Sequence, residues 1–366
     1  MFGIKGLLTN VLTGASATTS ALMIVVAYSD RINPVDHPLL ACLGMTMPFV
    51  IIANLVLLVA WLFIKWRRSW IPLVGLLLSY GAIRTYFPLH GAGKAPEGCI
   101  KVISYNVCGY AGNKDNPACL DSICNYLKSQ NADIVCLQED GAPDREKINS
   151  LFPYNDTLHI VYGEGAVNIL GFHSRFPILK REKIDIPSQT NGSVAYYLRI
   201  GRQTVLVINN HLESFHLSPE ERQGYNDVLN GNVDGDKAEL KTRSLVKKVS
   251  EGKARRAPQA DAIHRYIEAH RKYPIIVCGD FNDTPISYTR HTIAQGLIDC
   301  FAETGTGTGV SYNQKGFRFR IDYILCSDDF KPFRCVVDDN THSSDHYPIV
   351  AQLQLDGFFN KRYLKK

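Results

Sequence analysis

Over most of its length the chain lacks an excess of charge of either sign. Residues 1–89 hold six basic residues (Lys5, Arg31, Lys65, Arg67, Arg68 and Arg84) against Asp30 and Asp36, which leaves 34 basic and 33 acidic residues in 90–366. A near-neutral main domain has no bulk attraction for polyanions. Low charge does not mean disorder: 45% of the residues are hydrophobic and 20% charged, which suits a folded core. The ten cysteines are scattered through apparent strands and helices, which argues against a small disulfide scaffold, and no Cys–His spacing suggests a zinc site. There is no internal repeat, no phosphate-cradling glycine loop and no nucleophile elbow.

Charge is absent altogether from Leu39 to Ile64, a run of 26 residues. At about 1.5 Å per residue it exceeds a bilayer core of roughly 30 Å. A second run, 70–89, carries only Arg84, and a third, 7–29, is uncharged but polar in its early half. These runs predict a membrane anchor in residues 1–89 with three spans, at about 7–29, 39–64 and 70–89; a cleaved leader is the alternative for residues 1–29. Loop 65–69 holds three positive charges, whereas Asp30 to Pro38 holds one Arg and two Asp. Positive loops stay cytoplasmic. The expectation is a cytoplasmic N-terminus and an extracytoplasmic main domain. Nine cysteines in that domain pull the other way, because free thiols are unusual in oxidising compartments.

Residues 90–98 (HGAGKAPEG) read as a linker, 99–357 as the main domain and 358–366 as a basic tail. Strand-like runs occur at 100–106, 133–138, 167–172, 193–200, 203–210, 274–279, 320–326 and 349–355. Gly201-Arg202 signals a two-residue hairpin. Helical periodicity appears at 119–130 and 260–272. Strands with intervening helices predict an α/β layered domain. The basic run 241–256 fits a solvated helix face or a contact to anionic substrate or lipid headgroups.

Polar residues cluster at the strand ends: Asn106; Gln138-Glu139-Asp140; Asn209-Asn210-His211; Gly279 to Asp283; Arg320 to Asp322; Ser343 to His346. A lone strand-terminal Asp or Asn is usually a turn former. Six such ends from separate strands would converge on one rim if the strands align. An oxygen-rich, thiol-free rim favours a hard cation, Mg²⁺ or Mn²⁺. Such a cation, a water-activating carboxylate and an imidazole are what hydrolysis of a phosphate ester requires.

The segments SYNV (104–107), LQED (137–140), NILGFHSRFPI (168–178), NNHLES (209–214), GDFND (279–283), RIDYIL (320–325) and SSDHYPI (343–349) resemble the ordered motifs of the endonuclease/exonuclease/phosphatase superfamily. The resemblance spans about 100–355 and implies a four-layer α/β sandwich of two packed mixed sheets flanked by helices. It implies that Glu139 is the principal Mg²⁺ ligand, assisted by Asn106, with Asp345 in the metal and hydrogen-bond network. Asp280 would align or deprotonate the attacking water beside Asn282. His346, its ring oriented by Asp322, would contact the scissile phosphate, and His211 would contact phosphate or the leaving oxygen. Asn210, Arg320 and Ser344, which accompany these residues in the motifs, are expected to contact substrate.

The expected activity is Mg²⁺-dependent hydrolysis of a phosphodiester, nuclease-like, by in-line attack of water. The alternatives are a lipid-headgroup phosphatase or sphingomyelinase-type enzyme at the membrane, and a scaffold that has lost catalysis. The expected partners are a nucleic-acid or phospholipid phosphoester, monoester or diester, and the bilayer; no protein partner is predicted.

Overall fold

The computed structural model describes residues 4–91, 93–111, 117–162, 166–215, 217–314 and 316–358. The chain opens with helices α1 (Ile4–Ala27), α2 (Met47–Ile64), α3 (Trp70–Leu78) and α4 (Tyr80–Tyr86). A 3-10 helix over Leu40–Thr46 leads into α2. Among the described residues, two helical stretches are long and apolar enough to cross a membrane, Gly6–Arg31 and Leu40–Ile64. The expected third span, 70–89, is instead broken at Ser79 into α3 and α4, of 9 and 7 residues. At about 1.5 Å per residue neither piece reaches across a bilayer.

The polar half of α1 is what binds these helices together. Trp61 Nε1 donates to Ser16 Oγ (2.8 Å), Ser20 Oγ donates to Asn54 Oδ1 (3.0 Å) and to Ile71 O (3.2 Å), and Asn54 Nδ2 donates to Thr19 O (3.3 Å). Gly75 lets α3 approach α1, since a Cβ there would lie 2.8 Å from Ser20 Cβ. Close helix contact over small residues, with hydroxyl and amide bonds between helices, is how helices associate in an apolar medium.

Two six-stranded mixed sheets follow. The first has the order β13-β14-β1-β2-β4-β3, with β1 Ile100–Asn106, β2 Ile134–Gln138, β3 Tyr154–Tyr162, β4 Ala166–Ser174, β13 Phe330–Val337 and β14 Ile349–Leu355. The second has the order β5-β6-β7-β8-β12-β9, with β5 Ile178–Ile184, β6 Gly192–Ile200, β7 Gln203–His211, β8 Ile275–Asp280, β9 Ile298–Asp299 and β12 Asp322–Cys326. A hairpin of β10 (Tyr312–Gln314) and β11 (Phe317–Phe319) stands apart. Ile200 pairs with Gln203 across Gly201-Arg202, so the expected two-residue hairpin forms.

The remaining helices are α5 (Cys108–Ala111), α6 (Pro117–Gln130), α7 (Arg145–Asn149), α8 (Pro219–Leu229), α9 (Gly235–Ala269), α10 (Tyr288–Ile293) and α11 (Cys300–Thr304). Val102, Cys136, Phe172, Tyr196, Val207 and Ile324 fill the space between the sheets, with the Phe172 and Tyr196 rings stacked at 3.9 Å. On the outer faces, Ile123 and Leu127 of α6 cover the first sheet, and Ile263 and Ile267 of α9 cover the second. The result is the expected four-layer α/β sandwich.

Three expectations need correction. Residues 90–98 do not begin as a free linker. Pro88 O accepts from Gly307 N–H (2.9 Å), His90 N–H donates to Gly305 O (3.3 Å), and the His90 ring reaches Ala302 O (3.1 Å). The run 241–256 is not one surface: it lies within the 35-residue α9, and its Lys253 and Arg256 are 1% and 0% exposed, bonded to Asp283. Of the expected basic tail, 358–366, only Phe358 is among the described residues. The ten cysteines are free thiols, seven of them buried.

Candidate active site

Strand pairing brings the polar ends together. Parallel pairing of β7 with β8 sets His211 opposite Asp280, and antiparallel pairing of β12 with β8 sets Asp322 opposite the same Asp280. In the facing sheet, β1 pairs with β2 so that Asn106 lies opposite Gln138, one residue before Glu139. The sheets are tied beneath this rim, where Gln138 Nε2 donates to Asn209 Oδ1 (2.7 Å) and Asn209 Nδ2 donates to Leu137 O (3.0 Å). Gly279 is required here: its φ is +140°, and a Cβ would lie 2.0 Å from Asn210 O.

Asn106 Nδ2 donates both to Glu139 Oε1 (3.1 Å) and to Asp280 Oδ2 (3.1 Å), joining the two sheets' acids. Its Oδ1 accepts from Cys108 N–H (3.0 Å). His211 Nε2 lies 3.7 Å from Glu139 Oε1 and 3.8 Å from Asp280 Oδ2. His346 Nε2 lies 3.7 Å from Asp280 Oδ2, and its Nδ1 is 2.8 Å from Asp322 Oδ2. Asn282 N–H donates to Asp280 Oδ1 (2.8 Å). Glu139 and Asn282 both have positive φ, +53° and +52°, a conformation that costs energy and gathers at functional sites. Asp345 lines the same pocket, of about 640 Å³.

Burial raises the pKa of Asp280, reinforced by Asp322, and together these push it up to about 7. Burial alone would lower His346, but the Asp322 and Asp280 carboxylates outweigh it and raise the imidazolium to about 10. For His211 burial outweighs the pull of Glu139 and the other nearby carboxylates, the charge on His346 adds to it, and the pKa is lowered. Asn168 Nδ2 sits 2.9 Å from His211 Nδ1, which makes Nδ1 the acceptor and leaves the proton of the neutral ring on Nε2. These shifts favour a proton on Asp280 more than on an ordinary carboxyl, an imidazolium at His346 and a neutral imidazole at His211.

Three expected substrate contacts lie elsewhere. Asn210 falls on the opposite face of β7 from His211, as strand alternation requires, and donates to Cys278 O (2.9 Å). Arg320 is buried with its guanidinium 4.5 Å from the Phe301 ring centroid, and it donates to Thr308 O (3.2 Å) and to Thr85 O. It clasps the helical region to the main domain. Ser344 supports rather than lines the pocket: its Oγ donates to Asn106 O (2.8 Å) and accepts from His346 N–H (3.2 Å).

Several residues that sequence reasoning passed over do belong here. Asn168 sits in the NILGFHSRFPI segment but was assigned no role there. Ser311 Oγ accepts from Ile321 N–H (3.0 Å) and Asp322 N–H (3.1 Å), fixing the start of β12. Tyr312, whose ring centroid is 5.0 Å from that of His346, and Arg222 line the pocket with no motif to announce them.

Among the described residues, Asp280, Asp322 and His346 group their potential ligand atoms within 4.8 Å of one another. A protonated His346 has no lone pair to offer, so this group suits proton handling. Glu139 and Asp345 fit a hard cation better: both are pocket-lining oxygen donors, and the Glu139 side chain is 42% exposed. As placed, Asn106 turns nitrogen toward Glu139, so it holds that carboxylate rather than offering an oxygen beside it.

Residues 103–346 match the Endonuclease/Exonuclease/phosphatase family, about two thirds of the chain. The chain belongs to this family. It is accordingly a phosphoric ester hydrolase, of a class that depends on a divalent metal. Residues 9–86 match a domain of unknown function, DUF8431. No curated protein matches the chain by sequence. Among solved structures, the human Nocturnin catalytic domain with bound sulfate is 16% identical with a TM-score of 0.50, covering 72% of this chain and 96% of that one. A humanized D. rerio TDP2 is 15% identical with a TM-score of 0.49, covering 70% and 100%. The Bacteroides thetaiotaomicron mannosyl-6-phosphatase Bt3783 is 16% identical with a TM-score of 0.48, covering 70% and 100%. At these identities the likeness is one of fold.

Proposed function

We propose that the chain is a membrane-anchored phosphodiesterase that uses Mg²⁺ or Mn²⁺ and an activated water. The observation that carries this reading is the meeting of Asn106, Glu139, His211, Asp280, Asp322 and His346, drawn from both sheets, on one pocket. Glu139 and Asp345 would hold the cation, with Asn106 steadying Glu139. When bound it neutralises charge on the phosphoryl oxygens. Asp280, poised near neutrality, accepts the proton of the attacking water. His346 donates from Nε2 to a phosphoryl oxygen while Asp322 holds its Nδ1–H. His211 donates its Nε2–H to phosphate or to the leaving oxygen, oriented by Asn168.

Anchoring rests on α1 and α2 and on the apolar side chains they expose, among them Leu7, Leu8, Phe49, Ile52, Val56 and Phe63, the last at 87%. A soluble domain rarely leaves so large an apolar belt uncovered. The basic turn 65–69 lies at the far end of α2 from the main domain, and its Arg68 donates to Thr9 O (3.2 Å). By the charge rule this end is cytoplasmic, and α3 and α4 taken in series would carry the chain back to a catalytic domain on the other side. A lipid-headgroup phosphoester is the second reading, favoured by the apolar pocket walls of Val167, Ile169, Phe215, Leu217, Phe317 and Phe319.

The test is a parallel assay of single-stranded DNA, duplex DNA, sphingomyelin and phosphoinositides with Mg²⁺, and with EDTA as control. Metal-dependent release of product from any of them supports the hydrolase and identifies its class. Inertness toward all four, with the protein folded, removes the phosphodiesterase assignment.

A further inference from the structure

Among the described residues lining the pocket, Arg222 is the only Arg or Lys. It is carried by α8, a helix fixed at its start by a capping box in which Ser218 and Glu221 exchange hydrogen bonds. Its Nη1 donates to Tyr312 Oη (2.8 Å), and its guanidinium carbon is 6.0 Å from the Tyr312 ring centroid. The same ring reaches the chemistry, since Tyr312 contacts His346 and its backbone bridges to the same residue. Tyr225 of α8 packs edge-on against Phe317 of β11 (6.1 Å), so helix and hairpin form one wall. No carboxylate among the described residues pairs with Arg222. A guanidinium held by a neutral phenol, facing a pocket and lacking a counter-ion, keeps most of its donors for a ligand anion.

Resting on the hydrolase reading, we propose that Arg222 is a specificity-determining residue that binds a second phosphate of the substrate. The preferred substrate is then an organic bisphosphate: one phosphate at the Asp280–His346 centre, an apolar or aromatic body along Leu217, Phe317 and Phe319, and the other phosphate on Arg222. The motif residues account for the first phosphate only. Tyr312 separates the two positions and sets the guanidinium's direction.

The test compares binding of two probes to the full-length protein in detergent with Mg²⁺, thymidine 5′-monophosphate and thymidine 3′,5′-bisphosphate. A charge-assisted bidentate contact predicts that wild type prefers the bisphosphate by about tenfold or more. Arg222→Gln reduces that preference to about twofold, Arg222→Lys retains part of it because a point charge replaces a planar fork, and Tyr312→Phe weakens it by loosening the arginine. Circular dichroism checks that each variant is folded. No preference in wild type, or an undiminished preference in folded Arg222→Gln, overturns the proposal. Turnover of a p-nitrophenyl diester is read separately. A wild type that shows the preference but no turnover faults the hydrolase reading and leaves the role of Arg222 standing.

Discussion

Replacing Asp280 by Asn should make the protein more stable and nearly inactive at once. Asp280 titrates near 7 in the folded state against an ordinary 3.8. Between those values the folded state holds a proton that the unfolded chain has released, so stability falls as pH rises through that window. A shift of roughly three units at about 1.4 kcal/mol each gives an upper bound of about 4 kcal/mol against folding at pH 8. Asn loses the charge and can keep the acceptor for Asn282 N–H, but its Nδ2 then faces Asn106 Nδ2 and the bond that Oδ2 accepted there is lost, which offsets part of the gain. Allowing for relaxation, about 2 kcal/mol remains, or roughly 4–8 °C in Tm for a domain of this size. At pH 5 the gain should shrink to less than half of this. His346 carries the same sign in a higher window, its contribution being full below 6.5 and lost as pH climbs through about 10. The assay is thermal denaturation in detergent with EDTA at pH 5 and pH 8, alongside turnover of a model diester with Mg²⁺, where a loss of about 10²–10⁴ is expected. An Asp280→Asn protein that melts below wild type at pH 8, or keeps turnover within about tenfold, refutes the reasoning.

Three other outcomes follow from contacts away from that proton. Gly44→Val should lower Tm by several degrees and reduce kcat, because a Cβ at Gly44 would lie 1.9 Å from Ile286 O; wild-type melting would show that this interface yields freely. Lys253→Met should cost about 3–5 kcal/mol by leaving the buried Asp283 to its longer contact with Arg256 and the Thr289 hydroxyl, whereas Lys253→Gln, which keeps a donor toward Asp283, should cost less; denaturant melts of both variants decide between this and a merely steric effect of Met. Glu139→Gln should weaken Mg²⁺ binding about tenfold or more in calorimetry, and an unchanged affinity would move the cation away from Glu139.

What could be read from the sequence follows burial. Strands β1, β2, β4, β6, β7, β8, β12 and β14 all announce themselves as apolar runs, and none of them is a sheet edge. The unannounced strands β3, β5, β9 and β13 are the four edges. Edge strands carry charge and irregularity that blunt further pairing, as in ILKREKI of β5 and the bulge between Pro332 and Arg334 in β13. The site's acids and imidazoles sit at ends of central strands, so pattern and register together bring them to one rim. Asn210 shares a motif with His211 yet points elsewhere, because adjacent residues on a strand face opposite sides, whereas Arg320 lies before β12 begins and is drawn to Phe301 and Thr308. Arg222 and Tyr312 were silent for a different reason. They come from a helix and a hairpin whose approach to the rim depends on tertiary packing, such as Tyr225 on Phe317, rather than on any local pattern.

The same dependence on packing joins the N-terminal helices to the chemistry. The segment after β8 begins with Asp280 and Asn282 in the pocket. Next along it, Asp283 is held by Lys253, Arg256 and Thr289, and its carbonyl accepts from Tyr323 Oη (2.9 Å). Ile286 then packs with Met23, Val26, Met47 and Val50 of the helical region, and His291 Nδ1 lies 3.2 Å from Asp30 Oδ2. A strand end that presents the proton acceptor is thus continuous with a loop clamped from one side by α9 and from the other by α1 and α2. Interiors at this packing density transmit displacement instead of absorbing it. Tilting or separating the two apolar helices would therefore pull on the backbone that sets Asp280 against Asn106 and His346. On the proposed mechanism the helices would therefore help to support the rim that carries Asp280.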